Sequence, residues 1–197
     1  MLAIVDSGGA NIASVRFALA RLGVESVLTT DLATIRSAER VILPGVGSAA
    51  EGMRRLQERG LVDTVRSLTQ PTLGICLGMQ LLFDGSEEGP TETLGLIAGR
   101  VSLLPASSGV RVPHMGWNTI EAATQSALLE GIDATARFYF VHSFAAPTGP
   151  FTVATTTHGT GFSAVVRRDN FHGVQFHPER SGTAGACILK NFLEAKL

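Results

Sequence analysis

The fold of this chain is decided by the stretch Thr72-Leu73-Gly74-Ile75-Cys76-Leu77-Gly78-Met79-Gln80. Its first four residues form a short apolar run that predicts a buried strand, and residues Leu77 to Phe83 have the pattern of an amphipathic helix. Cys76 therefore lies on a sharp strand-to-helix turn. Gly74 and Gly78 permit strained backbone angles and the close approach of a substrate there. A helix start also offers free N–H groups that favour a thiolate. The local sequence leaves two interpretations of Cys76 open, a nucleophile or a small buried apolar residue.

Size and charge exclude several classes of protein. The chain has 197 residues, 45% hydrophobic content and 22 glycines, enough for one sizeable core, so we expect a single domain over residues 1–197. The 16 basic and 17 acidic residues give a net charge of −1, which attracts neither nucleic acid nor an anionic membrane. No apolar run approaches the ~20 residues needed to span a bilayer, and Met1 to Asp6 has no basic leader. We therefore expect a cytoplasmic protein. Cys76 and Cys187 are expected to be reduced, since a chain with such a core has little need of a disulfide.

The first half of the chain alternates short apolar runs with segments of helical period, which is typical of βαβ units around a parallel sheet. Strands are predicted at Leu2 to Val5 and Val41 to Leu43, then Arg137 to Val141, Thr152 to Thr157, Ser163 to Val166 and Phe171 to Phe176. Helices are predicted at Asn11 to Leu22 with Asn11 as a candidate cap, in a stretch ending near Arg59, at Leu61 to Leu68, and near Thr183 to Leu197.

A thiol needs a base, and His177 is the best placed of the five histidines. It lies in Gln175-Phe176-His177-Pro178-Glu179, where Pro178 favours an extended backbone and residues i and i+2 share a face. Glu179 could then fix the tautomer of His177, as in the nucleophile, base and orienter arrangement of acyl transfer. The alternative is a histidine in a surface ion pair. His172 falls on the opposite face, which weakens a metal site built from the two histidines and the glutamate, so no metal is expected.

The third element is Pro44-Gly45-Val46-Gly47-Ser48, which follows an apolar run. It superficially matches a dinucleotide fingerprint. However, it does not follow the first strand and lacks a clear ribose-binding acid, so we expect no nucleotide cofactor. Glycines at a strand end can instead turn backbone N–H groups toward an oxyanion, with the N–H of Leu77 as a second donor. A plain glycine turn is the alternative.

These three elements, in this order, resemble the class I glutamine amidotransferases, a family with a Cys, His and Glu triad in a flavodoxin-like α/β domain. The resemblance covers nearly the whole chain and implies a central, largely parallel sheet with helices on both faces. Within the family, the chain is similar to the glutaminase subunits of imidazole glycerol phosphate synthases in four stretches: Pro44 to Gly47, Gly74 to Gln80, Val112 to Asn118 and Tyr139 to Ser143.

The resemblance implies that Cys76 attacks the side-chain amide of L-glutamine, that His177 protonates the departing ammonia, and that Glu179 completes the triad. It implies no cofactor. It places around the oxyanion and the substrate Gly45, Val46, Gly47, Leu77, Gln80, His142, Ser143 and Phe144. The implied partner is a (βα)8-barrel cyclase subunit, which forms a heterodimer with this chain and uses the ammonia in L-histidine biosynthesis. The residues expected toward that partner are Asn11, Trp117, Tyr139 and Arg180.

Two alternatives to this function stay open at the level of sequence: a glutaminase serving another ammonia-using synthase, or an inactive relative kept as a binding subunit. The chain also departs from the family pattern at four positions outside the triad, where the family more often has Tyr, Gly, Tyr and Lys: Ser7, Ala10, Phe144 and Arg180. These departures affect the first loop and the expected interface, since Phe144 lacks a hydroxyl and Arg180 offers a planar fork in place of a point charge.

Overall fold

The computed structural model of the chain describes residues 1–8, 11–106 and 109–196. The strands in these ranges are, in chain order, β1 Leu2–Val5, β2 Ser26–Thr29, β3 Arg40–Gly45, β4 Thr72–Cys76, β5 Phe83–Ser86, β6 Thr91–Glu92, β7 Ile97–Leu103, β8 His114–Thr119, β9 Glu121–Ala122, β10 Arg137–His142, β11 Phe144–Ala145, β12 Thr152–His158, β13 Thr160–Arg168 and β14 Phe171–Val174. The helices are α1 Ile12–Arg21, α2 Leu32–Ser37, α3 Ala49–Glu58, α4 Val62–Arg66, α5 Leu77–Gln80 and α6 Gly182–Glu194, with 3-10 turns at Ala127–Leu129 and Pro178–Arg180.

The main sheet has the strand order β2-β1-β3-β4-β14-β13-β12-β9. Its first five strands are parallel and follow the 2-1-3-4-5 order of flavodoxin-like folds, while β13, β12 and β9 continue it antiparallel. Two smaller sheets, β10-β8 and β11-β7-β5-β6, accompany it. The predicted α/β class with a largely parallel central sheet is confirmed, and the antiparallel strands make that sheet mixed.

Successive residues of β1 enter two different hydrophobic cores, because side chains alternate across a strand. Leu2 and Ile4 pack on the face covered by α1 and α6, and Ala3 and Val5 pack on the face covered by α2, α3 and α4. Helices therefore cover both faces of the parallel part, as the resemblance implies. Each fully buried aliphatic side chain contributes roughly 1.5–3 kcal/mol to these cores.

The helix predicted from Leu77 to Phe83 is shorter than expected. It ends at Gln80, all four of its residues are buried, and Phe83 begins β5, so the prediction of an amphipathic helix is wrong. The backbone N–H groups of Leu94 and Leu96 donate to the carbonyls of Leu81 and Leu82, so these carbonyls are not available for a further turn of the helix. A single turn has a weak dipole, so the helix start adds less to the thiolate than the sequence suggested.

The C-terminal predictions also shift. The last strand ends at Val174 rather than Phe176, and α6 runs over Gly182–Glu194, while the predicted end at Leu197 lies outside the described residues. Cys76 and Cys187 are both free, as predicted. Within residues 1–8, 11–106 and 109–196, no helix has the length and apolar character needed to cross a bilayer.

Candidate active site

Three neighbouring strands in the middle of the sheet carry the candidate site. Gly45 at the end of β3 pairs with Cys76 at the end of β4, and Val174 at the end of β14 pairs with Ile75. The carboxyl ends of parallel strands lie at one edge of the sheet, where α/β proteins form their sites. The glycine loop, the cysteine turn and the segment leading to His177 therefore meet.

Cys76 lies on a strained turn, as the sequence predicts. Its φ of 53° and ψ of −109° place a non-glycine residue at positive φ, a conformation that costs about 1–3 kcal/mol and is typical of functional sites. A Cβ on Gly78 would lie 1.8 Å from the carbonyl oxygen of Leu43, and one on Gly74 would lie 2.6 Å from the carbonyl oxygen of Gly78. Gly78 is thus required for the turn to pack against β3, and Gly74 for the helix start to lie close to β4.

His177 and Glu179 form a buried pair, in which His177 Nδ1 donates to Glu179 Oε1 at 2.8 Å. The backbone geometry that brings Glu179 to His177 differs from the one predicted. His177 is extended, but Pro178–Arg180 forms a 3-10 turn that folds the carboxylate back onto the ring, so the same-face argument for an extended chain is wrong. The Ser181 hydroxyl donates to the His177 carbonyl and holds this turn in place.

The electrostatics of His177 favour a protonated ring. Burial lowers the pKa of His177, but hydrogen bonding and charge interaction with Cys76 and Glu179 outweigh burial and raise it to about 10. At neutral pH the ring is therefore an imidazolium that can give a proton to a leaving group.

Asn11 occupies the N-cap position of α1, but its side chain makes no cap hydrogen bond. Its Nδ2 donates to Glu179 Oε1 and lies 3.1 Å from His177 Nδ1. The structure therefore places Asn11 behind the His177–Glu179 pair, and its expected contact with a partner stays a prediction.

The two residues Cys76 and His177 open into one cavity of about 470 Å³. Seven further residues expected at the oxyanion or the substrate also line it: Val46, Gly47, Leu77, Gln80, His142, Ser143 and Phe144. Gly45 is placed in β3, off the cavity, where a Cβ would lie 2.9 Å from the backbone N of Gly78. Its lack of a side chain therefore serves packing of the turn.

The site also contains residues that sequence reasoning missed, one in the cavity and one beneath Cys76. Glu88 lines it, and its carboxylate accepts from the backbone N–H of Ala49 at 2.9 Å, at the start of α3. Glu88 follows β5 in a segment that the sequence did not predict, and no pattern around it indicates a site. Gln175 is completely buried and donates to Cys76 Sγ at 3.7 Å. The one feature of the sequence that could have indicated Gln175 as a site residue is its position two residues before His177.

Three of the four residues expected toward a partner form one surface group. Trp117 and Tyr139 face each other across β8 and β10 with ring centroids 5.8 Å apart, and the Arg180 guanidinium lies 4.4 Å from the centre of the Tyr139 ring. Trp117 is 51% exposed and its neighbour Met115 is 64% exposed. We call Met115, Trp117, Tyr139 and Arg180 the aromatic patch.

Two departures from the family pattern also have a defined place. The Ser7 hydroxyl donates to the Pro44 carbonyl at 2.8 Å, which ties the first loop to the glycine loop. Phe144 lines the cavity, and Ala10 lies outside the described residues.

A thiol on a strained turn, facing a protonated histidine that a buried carboxylate orients, defines the class of cysteine-dependent acyl-transfer enzymes.

The chain matches the model of the family described as glutamine amidotransferase class-I over residues 3–195 and belongs to that family. Within it, the chain belongs with the curated proteins named imidazole glycerol phosphate synthase subunit HisH. It is 54% identical over 193 residues to that of Xanthomonas euvesicatoria and 50% identical over 193 residues to that of Haemophilus influenzae. In both cases the match covers 98% of this chain and 96% of the relative.

Solved structures agree on the fold. A crystal structure described as a glutamine amidotransferase superposes with a TM-score of 0.74 at 20% identity, covering 98% of this chain and 97% of the other. The PurLQS structure from Thermotoga maritima gives a TM-score of 0.71 at 20% identity, covering 98% of this chain and 96% of the other. The resemblance inferred from the sequence motifs is confirmed.

Proposed function

We propose that this chain is the glutaminase subunit of an imidazole glycerol phosphate synthase, acting as one glutamine amidotransferase domain over residues 1–197 in the cytoplasm. The observation that carries the proposal is the opening of Cys76 and His177 into one cavity, with Glu179 bound behind the histidine. The identity of 54% with a curated HisH protein over nearly the whole chain supports the same conclusion.

In the proposed reaction, the Cys76 thiolate attacks the side-chain carbonyl carbon of L-glutamine and forms a C–S bond. His177 gives its proton to the amide nitrogen, the C–N bond breaks and ammonia leaves. A water molecule then loses a proton to His177 and attacks the thioester, which releases glutamate and the thiolate. The N–H groups of Val46, Gly47 and Leu77 are assigned to the oxyanion, and Gln80 with His142, Ser143 and Phe144 to the bound glutamine.

Glu88 completes this assignment, because it is the one carboxylate among the residues that line the described cavity. Glutamine carries an α-ammonium group that needs an anionic acceptor, so we assign Glu88 to that group.

We expect Glu88→Gln to raise the KM for glutamine about tenfold or more, with a smaller effect on kcat, because a hydrogen bond to a charged group contributes about 1.5–3 kcal/mol. The carboxamide oxygen of the variant can still accept from Ala49, so α3 keeps its cap. Steady-state glutaminase kinetics measure the change. Glu87→Gln, at an exposed neighbour, is the matched control. An unchanged KM in the Glu88 variant would exclude the assignment.

The proposed partner is a (βα)8-barrel cyclase subunit, which receives the ammonia. Ammonia released into water at neutral pH is protonated and no longer nucleophilic, so a shielded passage at a subunit contact suits the chemistry. The aromatic patch lies beside His177, since the backbone N–H of His177 donates to the carbonyl of Tyr139 at 2.9 Å. Exposed aromatic and arginine side chains are typical of protein interfaces. We place the interface there, with Asn11 at its inner edge.

Reconstitution tests the proposal. The purified chain is mixed with an imidazole glycerol phosphate cyclase subunit, glutamine and the ribulosyl substrate, and we expect glutamine-dependent imidazole glycerol phosphate. The same cyclase with ammonium salt is the control for an active partner. With that control positive, the absence of product overturns the proposal. Hydrolysis of glutamine without formation of imidazole glycerol phosphate would indicate that the chain supplies ammonia to another synthase. Binding to the cyclase subunit without hydrolysis of glutamine would indicate an inactive subunit.

A further inference from the structure

Gln175 faces the reacting sulfur from inside the protein. Its Nε2 lies 3.7 Å from Cys76 Sγ, and the residue is completely buried. The orientation of its amide is fixed, because Gln80 Nε2 donates to Gln175 Oε1 at 2.9 Å. With the oxygen of Gln175 held as an acceptor, its amide nitrogen faces the sulfur and can donate one N–H to it.

Gln80 is fixed in turn by a backbone carbonyl. Its Nε2 also donates to the Phe144 carbonyl oxygen at 2.8 Å, so both of its N–H groups have acceptors. The same carbonyl accepts from His142 Nδ1 at 2.9 Å. Because a carbonyl can only accept, the proton of the neutral His142 ring lies on Nδ1.

This tautomer determines which atom donates in each remaining hydrogen bond between His142 and Asn118. His142 Nε2 must accept, so His114 Nδ1, 3.1 Å away, is the donor. His114 Nε2 then accepts from Asn118 Nδ2 at 3.4 Å. Asn118 cannot turn over, because its other N–H donates to the Thr157 carbonyl and its Oδ1 accepts from the backbone N–H of Thr119. Each side chain that connects β8 to Cys76 through these hydrogen bonds therefore has a fixed orientation: Asn118, His114, His142, Gln80 and Gln175.

The His114 and His142 rings are both neutral, as the directions of their hydrogen bonds require. Burial, together with charge interaction with neighbouring histidines, lowers the pKa of His114 to about 4. The same two causes outweigh the hydrogen bond to the Phe144 carbonyl and lower the pKa of His142 to about 3. A second proton on either ring would set two N–H groups against each other.

We propose that Gln175 is a donor that stabilises the Cys76 thiolate, and that Gln80, His142 and His114 are positioning residues that hold its amide toward the sulfur. The proposal rests on the proposed function for the role of Cys76. It links the nucleophile to β8, the strand that carries Met115 and Trp117 of the aromatic patch.

Alkylation of Cys76 by iodoacetamide, followed from pH 5 to 10, tests the proposal. A Cys187→Ser background leaves Cys76 as the single thiol. We expect Gln175→Met, which keeps the length of the side chain and removes the donor, to move the midpoint of the alkylation rate up by about one pH unit, a tenfold loss of thiolate below the midpoint. His177, Glu88 and His142, which face the same cavity, are unchanged in this variant.

Two further variants separate positioning from packing. His114→Phe keeps a ring but removes both nitrogens, and we expect a smaller shift in the same direction. His114→Asn, whose amide can stand in for Nδ1–H, should restore the parent profile. His172→Phe is the matched control, because His172 is buried and, among the described residues, its ring nitrogens have no hydrogen-bond partner. Its profile should equal that of the parent.

An alkylation profile of Gln175→Met that matches the parent or the His172→Phe control overturns the proposal. Should Gln175→Met fail to fold, Gln175→Glu replaces it, because a carboxylate can accept from Gln80 but cannot donate to the sulfur, and the upward shift should be at least as large. Alkylation needs no turnover of glutamine. An unchanged profile with normal glutaminase activity therefore refutes this inference alone, and a parent chain that gives no glutamine-dependent product with an active cyclase subunit refutes the proposed function alone.

Discussion

Replacing Cys76 with serine is expected to abolish glutamine-dependent synthesis, by about a thousandfold or more, while synthesis from added ammonium salt continues. A hydroxyl at this position is a poor nucleophile because, unlike a thiol, it forms almost no anion at neutral pH. Residues of a triad act as a unit, so loss of the nucleophile removes most of the chemistry. The serine is slightly smaller than the cysteine, so the turn and the cavity should persist.

The measurement compares product formation by the complex with the cyclase subunit, from glutamine and from ammonium salt. Cys187→Ser is the matched control, because Cys187 lies on α6 and, among the described residues, its thiol hydrogen-bonds only with the Glu130 carbonyl and the Asn191 amide. It should keep full activity from both nitrogen sources. Retained glutaminase activity in the Cys76 variant would refute the assignment of the nucleophile.

Gly78→Ala is expected to destabilise the fold by about 3 kcal/mol or more, because its Cβ would lie 1.8 Å from the carbonyl oxygen of Leu43. This oxygen belongs to the backbone of β3 in the middle of the sheet, so no flexible side chain can move aside. For a domain of this size, about 3 kcal/mol corresponds to a fall in Tm of roughly 10 °C.

Thermal unfolding followed by circular dichroism measures this effect. Gly161→Ala is the matched control, since Gly161 lies in β13 of the main sheet, and a Cβ there would meet no described atom within 4 Å. We expect its Tm to change little. A Gly78 variant with the Tm of the parent would show that the turn can move away from β3.

The central part of the fold could be predicted because its signals are local. The apolar runs of β1, β3 and β4 are bounded by turn residues, and glycines on both sides of Cys76 indicate a sharp turn. The cavity-lining positions at Val46, Gly47 and Leu77 follow from these elements, because parallel strands end at one edge of the sheet.

The features that the sequence did not predict correctly depend on contacts between segments distant in the chain or on an unexpected turn. The helix after Cys76 ends early because residues 94 to 97 pair with Leu81 and Leu82, and no pattern within Leu77 to Phe83 reports that. The contact of His177 with Glu179 was predicted for the wrong reason, since a 3-10 turn replaces the extended chain. Glu88 reaches the cavity through the fold of the small sheet alone.

The pairing of β4 with β14 has a consequence for how the chain folds. It joins segments about a hundred residues apart, and such pairings form late because loop closure costs entropy before the contacts compensate. We therefore expect Cys76 to obtain His177 and Gln175 as neighbours late in folding, after segments closer in sequence have paired. A nascent or partly folded chain carries an ordinary cysteine, and the reactive thiol and the finished fold arise together.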